Sequence, residues 1–231
     1  LLLPFTFDLR FKLIVNKTRK PFITSDHPVV LYNQFLEARK SYGSNTGLAC
    51  KGLEIFIPVS PSHLLIFFDR DVYKIGYKSN SLVLITSEND VENLNLLQCI
   101  NANENLYFNQ EVTEVQIRHL MRRATQYRRT TKANVEEFAN SKNDREMRIL
   151  LHTYTSDVKC RLSLAFIHTL KKARQYNLGD KVFHARNQET CDLHGHFLEL
   201  VKKGKYQESE FFEFLEDMSQ RSAGDRTATP E

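Results

Sequence analysis

The stretch Phe22-Ile23-Thr24-Ser25-Asp26-His27-Pro28-Val29-Val30-Leu31-Tyr32 sets a polar cluster between two apolar runs, and the rest of the chain is read outward from it. Pro28 biases the backbone of His27 to extended or polyproline geometry, so Asp26 and His27 are expected to project in roughly opposite directions. That makes them a poor hydrogen-bonded dyad. Thr24, Ser25 and Asp26 are residue types that bond to backbone two or three positions away, so a capped turn is the first reading for all three. The competing reading has Asp26 facing a pocket as a catalytic carboxylate, with Thr24, Ser25 and His27 as binding residues beside it.

Upstream, Phe11, Leu13 and Val15 alternate with Arg10, Lys12 and Ile14, a period-2 pattern that predicts a half-buried strand running into the polar turn Asn16 to Lys20. Downstream, residues 37–47 begin charged, become rich in Gly, Ser and Asn, and read as a surface loop. Leu53, Ile55, Ile57 and Val59 alternate again until Pro58 and Pro61, which cannot donate to a central ladder. Leu64 to Phe68 is continuously apolar, as expected of a strand covered on both faces, and Leu82 to Ile85 repeats the signal. A sheet of roughly five or six strands follows.

From Val91 the pattern changes to helix. Ser87 with Asp90 three residues on predicts a helix start, and Val91, Leu94, Leu97 and Ile100 continue it. Further helical stripes are Ile117, Leu120, Met121, Ala124 and Tyr127, then Met147, Leu150, Leu151 and Tyr154, then Leu193, Phe197, Leu200 and Val201 up to Gly204, and last Phe211, Phe214, Leu215 and Met218. Cys160, Leu162, Leu164 and Phe166 alternate with Arg161, Ser163 and Ala165, which predicts one late strand rejoining the sheet. The fold class expected is α+β: a mixed or mainly antiparallel sheet with C-terminal helices packed on it. The division expected is a β-rich core over 1–110, a mainly helical part over 111–218 and a disordered tail over 219–231.

The chain has 231 residues, 41% hydrophobic and 26% charged, with sixteen Phe, a globular and not a disordered composition. No run approaches the ~18 apolar residues that cross a bilayer, so no membrane partner is expected. Cys50, Cys99, Cys160 and Cys191 are scattered with no C-x-x-C spacing, which argues against a zinc framework and for reduced thiols in a cytoplasmic setting. Leu1-Leu2-Leu3-Pro4-Phe5 is short and uncharged and reads as the start of an interrupted chain, not a signal peptide.

Residues Phe22 to Val29 resemble the central motif of domain-of-unknown-function family 4238, a bacterial family of uncharacterised proteins that commonly reads Thr-Ser-Asp-x-Pro-Val. Ile55-Phe56-Ile57-Pro58-Val59-Ser60-Pro61 is similar to its Phe-Pro-Leu-Ser-Pro strand end, and Asn95 followed by Ala102, Tyr107 and Phe108 to its Asn-to-Ala-to-aromatic helix. The resemblance spans about Phe11 to Phe108. It implies the fold and a bacterial, intracellular setting, and no reaction. The family also carries an upstream arm with a His-Tyr-x-Pro motif, and nothing here corresponds to it.

Three function classes remain open. The first is a nucleic-acid-associated module. Val115 to Val135 holds Arg118, Arg122, Arg123, Arg128, Arg129 and Lys132 and no acid. At about 100° per residue, Arg118, Arg122, Arg128, Arg129 and Lys132 fall within roughly 120° of arc. Phosphates bind such a ridge by counterion release, though a solvated helix face answered by acids elsewhere fits the same pattern. The second class is a hydrolase with Asp26 in a pocket completed by the upstream arm, with Asp69 and Asp71 as further carboxylates for a divalent metal or, equally, as parts of a polar turn. The third is a non-catalytic protein-interaction domain. His184, Cys191, His194 and His196 form no expected metal site, because His194 and His196 would point about 200° apart on a helix. No cofactor, reaction or oligomeric state follows from the sequence.

Overall fold

A computed structural model of the protein describes residues 8–39, 45–77, 79–127, 134–139, 149–154, 160–179 and 184–224. The elements begin with β1 (Arg10–Asn16), β2 (Thr24–Ser25), β3 (Val30–Tyr32), α1 (Gln34–Glu37), β4 (Glu54–Ser60), β5 (His63–Phe68), β6 (Tyr73–Ile75) and β7 (Leu82–Ile85). They continue with α2 (Glu88–Asn101), β8 (Leu106–Tyr107), α3 (Glu114–Thr125), β9 (Asn134–Ala139), β10 (Ile149–Tyr154), β11 (Ile167–Thr169), α4 (Lys171–Arg174), α5 (Gln188–Lys202) and α6 (Phe211–Gly224).

The main sheet is five-stranded and mixed, in the order β3-β4-β5-β1-β7. Only the β1–β7 pair is parallel; β1–β5, β4–β5 and β3–β4 are antiparallel. Alternation along the strands sorts side chains onto two faces. Val30, Tyr32, Phe56, Leu64, Ile66, Phe68, Ile14, Val83 and Ile85 point to one face and meet Val91, Leu94 and Leu97 of α2. Each such fully buried aliphatic or aromatic side chain contributes roughly 1.5–3 kcal/mol.

The opposite face is also apolar, and among the described residues it is only partly covered. In register, Ile57, Leu65, Leu13 and Leu82 form one cross-strand row, and Ile55, Phe67 and Phe11 another. Leu9, Leu48 and Leu53 cover one corner. Elsewhere Phe11 is 58%, Leu82 49% and Leu84 62% exposed. The strand Leu64 to Phe68 is therefore closed on one side only, a correction to the expectation drawn from its continuous apolar run.

Helix α2 is buried on most of its circumference because α3 packs on its far side. Leu96, Cys99 and Ile100 meet Leu120 and Ala124, with Ile23 of the segment leading into β2 in the same cluster. Ser87 caps α2 by accepting from Asp90 N at 3.2 Å, and Thr113 with Gln116 forms a capping box on α3. Helices α5 and α6 close on a small aromatic core of their own, Phe197, Phe211 and Phe214, beside Tyr206. Gly204 follows α5 at φ 71, the left-handed position that glycine occupies without strain. No described helix is long and apolar enough to cross a membrane.

Three further sequence expectations change. Ile149 to Tyr154 is a strand paired antiparallel with β9, not part of a helical stripe; Met147 lies outside the described residues. Residues 160–166 are not a strand, and the late strand is β11, which pairs with β6 and not with the main sheet. The backbone of 160–166 is held by side chains instead: the Tyr32 hydroxyl donates to Cys160 O at 2.5 Å and accepts from Leu162 N at 2.8 Å, and Asp90 accepts from Ala165 N at 2.9 Å. Finally, α6 runs on to Gly224, into the stretch read as a tail; residues 225–231 lie outside the described ones.

Candidate functional site

The polar cluster before Pro28 lies against α2, and a ladder of helix side chains holds its main chain. Asn95, Gln98 and Asn101 recur every three residues and so share one side of the helix. Asn95 accepts from Ile23 N at 3.0 Å and donates to Pro21 O at 2.9 Å. Gln98 donates to Pro28 O at 2.9 Å, and Asn101 to His27 O at 2.7 Å. The Ser25 hydroxyl lies 2.9 Å from His27 O and 3.0 Å from Gln98 Oε1, so its one proton serves either acceptor.

Asp26 reaches past the end of the helix. Its carboxylate accepts from the backbone N–H groups of Asn103 at 2.9 Å, Glu104 at 2.7 Å and Asn105 at 3.2 Å. Its own N–H donates to Asn105 O at 3.1 Å, which starts the β2–β8 pairing. These donors, that of Glu104 first, hold the Asp26 carboxyl below the usual carboxylate range. Three charge-assisted bonds on two oxygens leave Asp26 arranged as a cap for the loop after α2. His27 is exposed.

A groove of about 330 Å³ opens beside this ribbon, lined in part by Phe22, Thr24, Pro58, Ser60, Tyr107 and Phe108. Of the predicted site residues that are described, only Thr24 lines it. Tyr107 is 55% and Phe108 46% exposed, which gives the groove an aromatic rim. At the β4–β5 turn, Ser60 Oγ and Ser62 Oγ each lie 2.9 Å from His63 Nδ1.

The other candidate carboxylates are also engaged. Asp69 is buried and accepts from Gly52 N at 2.8 Å and Asp71 N at 2.9 Å, with burial raising its pKa above the ordinary carboxylate value. Asp71 is exposed and pairs with Lys172 at 2.6 Å, which lowers its own. Among the described residues no group of three or more His, Cys, Asp and Glu is placed to hold a metal ion. His194 and His196 pack against Phe211 and Phe214 respectively, and buried His184 sits edge-on to Tyr176.

Sequence reasoning passed over Glu54. It is fully buried at the start of β4, where Oε2 accepts from Gln34 N at 3.0 Å while Oε1 has no hydrogen-bond partner among the described residues. Burial pushes its pKa up to about 8. With Tyr73 OH accepting from Phe35 N and Asn33 Oδ1 from Leu36 N, it completes the N-terminus of α1. A charged residue opening an alternating apolar run, Glu54-Ile55-Phe56-Ile57, was the signal available.

The basic ridge is only partly described. Helix α3 ends at Thr125, so Arg128, Arg129 and Lys132 lie outside the described residues. Arg118 pairs with Glu114 at 2.6 Å, and Arg123 turns away to Glu92, which also binds Lys20 at 2.9 Å. Arg122 is exposed, and among the described residues no carboxylate lies within ion-pair distance of it.

No curated protein and no solved structure matches the chain. Residues 2–112 match the family described as Protein of unknown function (DUF4238), a span that includes the main sheet, α2 and the ribbon that Asp26 ties to it. By that match this part of the chain belongs to domain-of-unknown-function family 4238.

Proposed function

We propose that the chain is a non-catalytic protein-interaction domain whose contact surface is the open face of the main sheet. One observation carries this reading: Phe11, Leu13, Val15, Leu65, Phe67, Leu82 and Leu84 lie on one face with no charged side chain among them, and Phe11, Leu82 and Leu84 are about half exposed or more. Contiguous apolar surface of this kind marks contact sites on folded proteins. Asp26 lends the hydrolase reading no support, because its oxygens are taken by backbone amides. The test is capture from a lysate of the source cells by the full chain and by Leu84→Glu. A specific set of proteins, or a second copy of the chain, retained by the wild type and lost by the variant is expected; identical capture by both refutes the reading.

A second reading, association with nucleic acid, is favoured by exposed Arg122 on α3, which among the described residues has no carboxylate within ion-pair distance. Arg118, Arg128, Arg129 and Lys132 would extend it into one basic strip for phosphate oxygens.

A further inference from the structure

The interaction reading leaves the partner unnamed, and the chemistry of the open face narrows it. The face is built from three strands in fixed register: Leu13 of β1 lies between Leu65 of β5 and Leu82 of β7, and Val15 lies between His63 and Leu84. Phe11 sits opposite Phe67 with ring centroids 6.1 Å apart, and Ile57 of β4 extends the row beyond Leu65. Backbone donors and acceptors inside the sheet are occupied by neighbouring strands, so the face offers a partner almost nothing but apolar contact. A nucleic acid or an acidic segment finds no opposite charge on it.

Its size is informative. Taking roughly 170–200 Å² for a fully exposed Leu or Phe, the exposed parts of Phe11, Leu82 and Leu84 and the half-buried residues around them present roughly 500 Å² of apolar surface. A standard interface takes about 800 Å² from each partner, about two-thirds of it apolar in homodimers. The face therefore supplies the apolar share that one side of a homodimer requires. Two twisted sheets pack face to face about 10 Å apart with strands inclined by about 30°, and a surface without charge meets its own copy across a two-fold axis without repulsion.

We infer that the partner is a second copy of this chain, docked through the open sheet face into a two-fold β-sandwich dimer. The inference rests on the interaction reading above. Removing Leu82, Leu84 and Phe11 from water at once is the driving force, so a charge on any of them opposes association without entering the core.

The experiment is sedimentation equilibrium on the full chain across micromolar concentrations. The wild type is expected at twice the 27.0 kDa of one chain. Leu84→Glu, Phe11→Glu and the milder Leu82→Lys are each expected to raise the dimer dissociation constant at least tenfold, while keeping the wild-type far-ultraviolet dichroism. Tyr107→Glu, in the groove beside the β2–β8 ribbon, is expected to dimerise as the wild type does. A dimer that survives the three face substitutions, or that Tyr107→Glu disrupts instead, overturns the inference. A wild-type monomer whose capture of another protein is lost in Leu84→Glu overturns the dimer and leaves the interaction reading standing. A monomer with capture unchanged removes both.

Discussion

The Asp26 carboxylate and the Glu104 backbone N–H meet at 2.7 Å across a sequence gap that spans β3, β4, β5 and β7 of the main sheet and all of α2. This contact, with those to Asn103 and Asn105, locks the loop after α2 to β2 and sets the register of β2 on β8. Asp26→Asn keeps one acceptor oxygen but turns an amide NH₂ toward the same backbone donors. A drop of a few degrees in Tm is expected at neutral pH. Because the folded-state pKa is depressed, the contribution is present above the ordinary carboxylate value and is lost as pH falls through the lower, folded one. The gap in Tm between wild type and variant should thus narrow in acid. A variant with unchanged Tm at neutral pH and closer only in some functional assay would argue that the cap is incidental.

Glu54 works in the opposite direction. Its pKa rises from an ordinary 4.5 to about 8 on burial, so the folded state holds a proton that the unfolded chain gives up. Stability associated with it is fully present below about 4.5 and is lost as pH climbs toward about 8, a loss on the order of 4 kcal/mol. Glu54→Gln retains an oxygen for Gln34 N and removes the titration. Thermal melts at pH values through this window are expected to show a falling Tm for the wild type and a flatter line for the variant, with the variant the more stable at the alkaline end. Parallel lines would mean that Glu54 ionises without cost in the folded protein.

Tyr32 clamps the segment after Cys160 from both sides, donating to Cys160 O and accepting from Leu162 N. Tyr32→Phe leaves both of these backbone groups without that partner, at a cost of about 1–3 kcal/mol. The release should be local: Arg161 lies between the two anchored residues, so trypsin is expected to cut there faster in the variant while far-ultraviolet dichroism stays the same. Cleavage at an unchanged rate would show that Asp90, Gln34 and Asn93 hold the segment without Tyr32.

What could be read from residues alone was what neighbours in sequence decide. Alternation at Phe11 to Val15 and Leu53 to Val59 marks strands because the two faces of those strands are set by period 2, and the short apolar run Leu82 to Ile85 marks another. Ser87 with Asp90 marks the start of α2 because the capping bond is local. The residues that depend on distant partners were opaque. Asp26 meets Asn103 to Asn105, and the 160–166 backbone meets Tyr32, Gln34 and Asp90, so alternation there reported a held extended segment and not a paired strand. Leu150, Leu151 and Tyr154 fit helical spacing, yet their run also contains Ile149 and Thr153, β-branched residues that suit the pairing with β9. In β1 the alternation singled out Phe11, Leu13 and Val15 as the side to be buried, whereas the core takes the side of Ile14 and leaves Phe11 exposed, because which face α2 covers is decided by residues far away in sequence.

The basic strip yields the last prediction. Arg122 is exposed and has no ion-pair partner among the described residues, whereas Arg118 is partly neutralised by exposed Glu114 one turn away and Arg123 is drawn to Glu92. If α3 and the residues after it bind phosphates, each cation that contacts one adds about 0.9 to the slope of log affinity against log salt on duplex DNA. Arg122→Glu with Arg129→Glu should therefore lower affinity for any duplex, whatever its sequence, and reduce the slope by about 2 if both contact phosphate. Glu114→Gln, which releases Arg118, should act the other way and tighten binding at low salt. Fluorescence anisotropy with a labelled duplex over a salt series measures all three. No retention of the wild type at low salt would remove nucleic acid from consideration and leave Arg122 as an ordinary solvated side chain.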